Sequence, residues 1–149
     1  MIRFILAALL LFSSLLYAYD GNFPTVPDEH LSPGKLCTSS DPDFMRYYDH
    51  GLGKVPICDR NVSVQTKYEV LARYGIPGNK RSLYKIDHVI PLSIGGSNDI
   101  QNLFPINLKV TEEYERLEES IYLDFRDGRI NQSDAVRTIL EWKFGGWKN

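Results

Sequence analysis

The sequence predicts a small single domain of the α+β class, and three observations support this prediction. Two short strand patterns, at 83–90 and 103–106, are separated by a loop and followed by an amphipathic helical pattern. Further helical patterns precede and follow this unit, at 63–74 and 133–144. The 149 residues suffice for one hydrophobic core but not for two, once an apolar N-terminal segment is set aside.

That N-terminal segment, residues 1–18, has the pattern of a secretory signal peptide. Arg3 precedes an apolar run at 4–16, and Ala18 stands before a polar stretch, so we expect cleavage after Ala18. The run is shorter than the about 20 residues that a spanning helix needs. We therefore expect a secreted or periplasmic chain, monomeric and without stable membrane insertion, with an uncleaved membrane anchor as the alternative.

The two cysteines, Cys37 and Cys58, both lie in the part that would be exported, where disulfides persist. We expect one bridge between them, which stabilises the fold by roughly 3 kcal/mol through loop closure. Two free thiols or a metal pair are the alternatives. They are weaker because the cysteines are far apart in the sequence and no histidine stands close to either.

The net charge of −2 conceals a split along the chain. Residues 35–86 carry nine Lys or Arg against five Asp or Glu, whereas residues 87–149 carry seven against eleven. This distribution excludes a uniformly basic nucleic-acid-binding coat. A local cluster that includes Arg81 and Lys85 could hold a polyanion, so these two are candidate phosphate contacts. An ordinary solvated loop is the alternative.

The exported part of the chain that precedes the first helical pattern divides into two segments. Residues 19–41 are rich in Pro, Ser, Asp and Gly and predict an extended, partly mobile lead-in to a domain at 42–149. Residues 43–59 mix aromatic residues with turn residues, which predicts irregular structure covering the core. We expect the other two histidines, His30 and His50, to lie on the surface.

The three helical patterns have recognisable ends. The expected N-caps are Ser63, Thr111 and Ser133, and the glycines expected after the last turns are Gly75, Gly128 and Gly145. The acidic first turn of the middle helix complements the helix dipole. We expect Trp142 and Trp147 to pack against the core or the tail rather than to stack on bases.

Chemistry concentrates in the stretch YKIDHVIPLSIGGSNDIQNLFPIN, residues 84–107. His88 is a candidate general base, and the adjacent Asp87 is an oxygen ligand suited to Mg²⁺. A metal ion and a base together are the parts needed for phosphodiester hydrolysis. Neighbouring strand residues point to opposite faces, so both can meet one ion only if the strand ends or kinks there, as Pro91 suggests.

The loop of this stretch carries two further features. Gly95 and Gly96 permit a tight turn that brings the backbone near a substrate. Asn102, at the start of the second strand, can hydrogen-bond across the loop and fix the backbone or the ring of His88.

Taken together, these residues resemble a known motif, that of the HNH endonucleases, the His-Me finger or ββα-metal nucleases. The residues that carry the resemblance are Asp87-His88, Pro91-Leu92, Gly95-Gly96, Ser97-Asn98 and Asn102-Leu103. The sequence is more closely similar to a group of small exported bacterial proteins with an HNH signature, over about residues 33–142. The resemblance implies a ββα-metal core with additional helices before and after it.

The resemblance also implies roles for individual residues. His88 would be the general base, Asp87 a metal ligand, and Asn102 the asparagine that positions the active-site loop. The family's third element, a His or Asn at the start of the helix, is not matched, since no histidine follows His88. Asn107 and Glu112 are the candidates for that metal position, with Glu113 beside them.

The function expected from these observations is secreted or periplasmic metal-dependent endonuclease activity on DNA or RNA. Little sequence specificity is expected, because the chain has no room for a separate recognition module. The cofactor would be a divalent ion, Mg²⁺ first, with Mn²⁺, Ca²⁺ and Zn²⁺ as alternatives. Two other functions stay open: a catalytically impaired nucleic-acid-binding relative, and an unrelated disulfide-stapled periplasmic binding protein.

Overall fold

The computed structural model describes residues 26–145. The predicted signal peptide, the first part of the predicted lead-in and Trp147 lie outside these residues. Within them the chain forms two separate antiparallel hairpins and three α-helices. The elements in chain order are β1 (Phe44–Asp49), β2 (Lys54–Cys58), α1 (Val64–Arg73), β3 (Tyr84–His88), β4 (Leu103–Asn107), α2 (Thr111–Arg126) and α3 (Gln132–Gly145). This confirms a mixed α and β domain.

The hairpin β3–β4 and the helix α2 form the unit that the sequence patterns predicted. His88 pairs with Leu103 at the loop end of the hairpin, and Tyr84 pairs with Asn107 at the other end. Pro105 is tolerated in β4 because both strands of a two-stranded sheet are edges. Every residue of β4 is buried, since α1 packs against both strands of the hairpin and side chains of α2 and α3 pack against Phe104 and Ile106.

The hairpin β1–β2 corrects the expectation of irregular structure at 43–59. Five residue pairs join its strands, from Phe44–Cys58 to Asp49–Lys54. The connecting turn contains Gly51 and Gly53, both at positive φ. No residue of β1 is fully buried, and two of its apolar side chains, Met45 and Tyr47, are each 53% exposed. The strand therefore shows no clear alternation of apolar and polar residues. Val55 on β2 is its buried anchor, 3% exposed.

The helix ends were predicted with mixed success. Ser63 caps α1 by accepting a hydrogen bond from the Thr66 amide at 3.0 Å, as expected. Thr111 is instead the first residue of α2, and no side chain caps that helix. Asn131, not Ser133, caps α3 by accepting from the Asp134 amide at 2.9 Å. The helix therefore begins two residues earlier than expected, at Gln132.

The predicted disulfide between Cys37 and Cys58 is formed. It joins the end of β2 to the segment before β1, and that segment is packed in its described part. The Ser32 hydroxyl donates to the Leu103 carbonyl at 2.6 Å, and the Cys37 amide donates to the Gly95 carbonyl at 2.8 Å. Residues 26–41 therefore line the loop between β3 and β4.

The core of the described residues has three clusters. The largest lies between β2, α2 and α3, the second between the β3–β4 hairpin and the two C-terminal helices, and the third, of Leu71, Ile76 and Tyr84, between α1 and β3. His50 belongs to the edge of the largest cluster, contrary to expectation: its ring lies 4.3 Å from that of Phe125, centroid to centroid. His30 is exposed, as expected. No helix within residues 26–145 is both long enough and apolar enough to cross a bilayer.

Candidate active site

Asp87 and His88 end strand β3, and both are buried, at 9% and 3% exposure. Strand alternation sends their side chains to different sides. The Asp87 carboxylate lies on the side of Lys85, 4.0 Å from its ammonium, and faces α2. The His88 ring turns toward the loop, where its Nε2 lies 3.0 Å from Oδ1 of Asn98. The two side chains therefore meet different partners.

Asn98 fixes the tautomer of His88. The Asn98 amide donates from Nδ2 to the Asp43 carboxylate and to the Asp59 carbonyl, the latter at 2.7 Å. Its Oδ1 is consequently the acceptor for His88, which must carry its proton on Nε2. Nδ1 of the neutral ring is then unprotonated and makes no hydrogen bond with any described residue. This arrangement leaves Nδ1 able to accept a proton.

The surroundings of His88 also keep the ring neutral. Burial is the largest influence and lowers the pKa of His88 below the ordinary 6.5. The hydrogen bond to Asn98 opposes this, the charge of Arg60 reinforces it, and Asp87 and Lys143 contribute smaller, opposite effects. A neutral imidazole at pH 7 is the form that a general base requires.

Asp87 has one oxygen engaged and one open. Its Oδ1 accepts the His88 amide at 3.0 Å, while its Oδ2 lies 4.0 Å from the Lys85 ammonium, beyond hydrogen-bond distance. Lys85 itself donates to Glu115 at 2.9 Å. The charge of Asp87 also acts on α2. The pKa of Tyr114 is raised above its usual value, mainly by burial and next by the negative charge of Asp87.

Asn102 is fully buried and uses its side-chain amide to close the loop. Its Oδ1 accepts the amides of Ile90 and Lys35, and its Nδ2 donates to the carbonyls of Ile90 and Ser97, all between 2.8 and 3.2 Å. It thus holds the backbone two residues after His88 rather than the ring. The backbone carbonyl of Asn102 also accepts the Val89 amide at 2.8 Å.

The two glycines of the loop are buried against protein, which corrects the expectation that they approach a substrate. A Cβ on Gly96 would stand 1.8 Å from the Ile90 carbonyl oxygen. Gly95 has a φ of +92°, and a Cβ there would lie 2.7 Å from a methyl carbon of Val55. They serve close packing inside the loop.

A buried ion pair on the α2 side was not anticipated from the sequence. Lys143 of α3 is fully buried, and its ammonium donates to the His88 carbonyl at 2.7 Å and to Glu118 at 2.5 Å. The ammonium also lies over the rings of Phe104 and Tyr114, at 5.5 and 5.4 Å. Burial raises the pKa of Glu118, and the charge of Lys143 opposes that rise.

The candidates for the third metal position lie apart from Asp87. Asn107 pairs with Tyr84, three residues along the strand from the Asp87–Phe104 pair, which corresponds to about 10 Å. Its Oδ1 accepts the Lys109 amide, and its buried Nδ2 has no partner among the described residues. Glu112 is exposed on the first turn of α2. The acidic side chains that face β3 are one and two turns further along, at Glu115 and Glu118.

Residues 26–145 contain one group of three potential His, Cys, Asp or Glu ligands, formed by Cys37, Asp41 and Cys58. Both sulfurs of this group are in the disulfide, so neither can be a thiolate ligand. The carboxylate that the site offers to an ion is that of Asp87, whose Oδ2 is outside hydrogen-bond distance of Lys85. That donor set fits Mg²⁺, which commonly binds through one or two carboxylates, with water and substrate phosphate as further ligands.

The predicted phosphate contacts, Arg81 and Lys85, lie together in one cleft beside β3, with a volume of about 540 Å³. Arg81 comes from the turn Gly78–Leu83 that precedes the strand. The position of Lys85, two residues before Asp87 on the same face, joins this cleft to the candidate site.

Comparison with known proteins identifies the segment around the site. Residues 75–109 match the family model described as HNH endonuclease. The matched segment contains β3, the loop, Asn98, Asn102 and β4, and it leaves β1–β2, α2 and α3 outside. No curated protein and no solved structure matches the chain. The resemblance to HNH endonucleases is thus confirmed for the segment that carries Asp87 and His88.

Proposed function

With an HNH endonuclease segment at residues 75–109 as the premise, we propose that the chain is an exported, metal-dependent endonuclease. It hydrolyses phosphodiester bonds of DNA or RNA with little sequence specificity. The observation that carries the proposal is the hydrogen-bond chain from Asp43 through Asn98 to His88. It supplies an unprotonated ring nitrogen one residue away from a carboxylate with an open oxygen.

In this proposal His88 acts as the general base. Nδ1 accepts a proton from the water that attacks phosphorus, and the ring becomes an imidazolium. The Nε2–H bond to Asn98 keeps the ring in position during the transfer, and the Asp43 carboxylate keeps the Asn98 amide oriented. Asn102 holds the strand end to the loop so that His88 and Asn98 stay aligned.

Asp87 would hold the divalent ion through its open oxygen. When bound, such an ion stabilises negative charge on the phosphate and on the leaving oxygen. The buried Lys143 ammonium, on the same side of β3, adds positive potential near the backbone of His88. Little specificity is proposed because residues 26–145 form one hairpin-and-helix core, and no separate element for reading base edges in a groove stands apart from it in this range.

A second candidate function rests on the same ion pair. One oxygen of Glu118, an acidic side chain that faces β3, is occupied by Lys143. A site with one free carboxylate could bind nucleic acid without cutting it. This favours the catalytically impaired relative as the competing proposal.

Plasmid nicking distinguishes the two. The oxidised protein with Mg²⁺ is expected to nick supercoiled plasmid, and EDTA or His88→Ala is expected to abolish nicking. Gln101→Ala, an exposed change on the same loop, is the matched control and should nick normally. Retarded plasmid without nicking at any divalent ion would support the impaired relative, and neither activity would contradict both proposals.

The export part of the proposal rests on the pattern of residues 1–18 and agrees with the disulfide, since disulfides persist outside the cytosol. Mass spectrometry of the protein recovered from the periplasm or medium is expected to find an N-terminus at Tyr19. A chain recovered only with membranes, starting at Met1, would contradict cleavage.

A further inference from the structure

The cleft beside β3 has a composition that the catalytic proposal does not use. It lies between α1, the turn before β3 and β3 itself. Ten side chains line it, and none of them is acidic. Four are cationic: Arg60, Lys67, Arg81 and Lys85. We propose that this cleft binds a single strand of nucleic acid, with a base stacked on Tyr68; this deepens the proposed function and rests on it.

The cations of the cleft are largely uncompensated. Lys85 is paired with Glu115, but Arg60, Lys67 and Arg81 form no ion pair with any residue that the structure describes. Three unpaired positive charges around one cleft attract a polyanion. The rest of the surface carries more acidic residues, so the attraction is local to this cleft.

Tyr68 provides an aromatic surface in the middle of these charges. It projects from α1 and is 50% exposed, next to Val64 at 66%. The Arg81 guanidinium lies 5.1 Å from the centre of the Tyr68 ring and holds it from one side. The exposed part of the ring is available for a base, and stacking on an aromatic ring is how sequence-tolerant proteins hold unpaired bases.

Arg81 retains hydrogen-bonding capacity as well. Its Nε is buried and has no hydrogen-bond partner among the described residues. Because solvent does not reach this Nε, a ligand would bond the guanidinium through its Nη atoms, which also form no hydrogen bond with any described residue. A phosphate oxygen beside the stacked base is an acceptor of the right charge.

The position of the cleft connects it to the candidate site. Lys85 and Ile86 line its inner end and precede Asp87 directly in β3. Arg60 lines the cleft and directly follows Asp59, whose carbonyl accepts the amide of Asn98, the partner of His88, at 2.7 Å. A strand held on Tyr68 therefore continues past Asp87 and His88. Bases of a duplex are already stacked and paired, so this arrangement selects unpaired or locally opened strands.

Fluorescence anisotropy tests the inference on the oxidised His88→Ala protein, which binds without cutting. The probes are a fluorescein-labelled oligothymidylate and a duplex of the same length. We expect tighter binding of the single strand. Tyr68→Ala is expected to weaken single-strand binding roughly 5- to 100-fold, as for loss of one stacked base. Tyr68→Phe should retain it, and duplex binding should change little.

Tyr47→Ala is the matched control, because Tyr47 is similarly exposed, at 53%, on the β1–β2 hairpin. Unchanged single-strand affinity in Tyr68→Ala, or equal losses for single strand and duplex, would overturn the inference. The outcomes are separable from nuclease activity. If single-strand binding depends on Tyr68 but the wild-type protein does not nick plasmid, only the catalytic proposal is contradicted. If the wild-type protein nicks plasmid but single-strand binding does not depend on Tyr68, only the proposed single-strand site is contradicted.

Discussion

At the scale of the residue, His88 depends on side chains that lie far from it in the sequence. Asn98 is ten residues away and contacts the ring directly, while Asp43 is 55 residues from Asn98 and orients its amide. The Asp-His pair was visible in the sequence because its members are adjacent. The hydrogen bonds from Asp43 to Asn98 and from Asn98 to His88 were not visible, since nothing in the sequence near Asp43 marks it as a partner of the loop.

Replacing Asn98 is expected to lower kcat without weakening substrate binding. Asn98→Ala removes the acceptor that fixes the Nε2–H tautomer, and loss of such a supporting bond typically costs about 10- to 100-fold. Initial rates of plasmid nicking, together with anisotropy on the same variant, measure the two effects. An equal loss of affinity, or a rate equal to that of Gln101→Ala, would contradict a positioning role for Asn98.

At the scale of the element, two contacts tie separate segments to the β3–β4 loop. Lys143 joins α3 to α2 and to the end of β3. Lys35 joins the N-terminal segment to the loop through Asp99, at 2.5 Å. Neither was predicted, because a lysine near a helix end or in a polar segment is more often solvated than paired.

Breaking the Lys143 pair is expected to destabilise the fold. Lys143→Met leaves Glu118 buried without its counter-ion, which costs about 3 kcal/mol in the free energy of unfolding. Adding Glu118→Leu is expected to recover most of that loss, since both charges are then gone. Urea unfolding measures both variants. A double variant no more stable than Lys143→Met would show that the bond to the His88 carbonyl, not the ion pair, is the main contribution.

The Lys35–Asp99 contact is expected to make stability fall in acid. Burial acts to raise the pKa of Asp99, but the hydrogen bond and charge of Lys35 outweigh it, so the pKa lies below 3.8. A carboxyl whose pKa is lower in the folded state stabilises above its unfolded pKa, and this contribution disappears as pH falls through the folded pKa. Both side chains are partly exposed, which limits the effect to about 0.5–1 kcal/mol.

Asp99→Asn isolates that contribution, because an asparagine oxygen can still cap the turn at Ile100–Asn102. The variant should be less stable than wild type in urea at pH 7 and equally stable at pH values well below 3.8. If the difference in stability between Asp99→Asn and wild type is the same in acid as at pH 7, the charge of Asp99 is not its cause.

At the scale of the whole molecule, the sequence predicted what is local. The strand, loop, strand and helix around Asp87 carry their own hydrophobic period and turn residues, and the cysteine pair follows from its context. The β1–β2 hairpin was missed because the exposed apolar side chains of Met45 and Tyr47 obscure the alternation of β1. The distance of Asn107 from Asp87 could not be read from the sequence, because it follows from the register of β4 on β3.

Reduction of the disulfide is expected to affect stability and activity together. Cys37–Cys58 closes a loop with a sequence separation of 21, so its loss costs roughly 3 kcal/mol. The same bond anchors the segments on both sides of Asp43, which orients Asn98. Thermal unfolding and plasmid nicking of Cys37→Ser/Cys58→Ser measure both effects. If the folded double variant nicks plasmid at the wild-type rate, the disulfide does not contribute to the arrangement of the candidate site.

This placement of the disulfide has a consequence for the cell that makes the protein. The cytosol keeps thiols reduced, so a chain synthesised there has not yet formed the bond that steadies Asp43 and Asn98. Under the proposed function, the nuclease would therefore be least active beside the genome and ribosomes of its producer. It would become active once export lets the disulfide form, so oxidative folding would restrain its activity inside the cell.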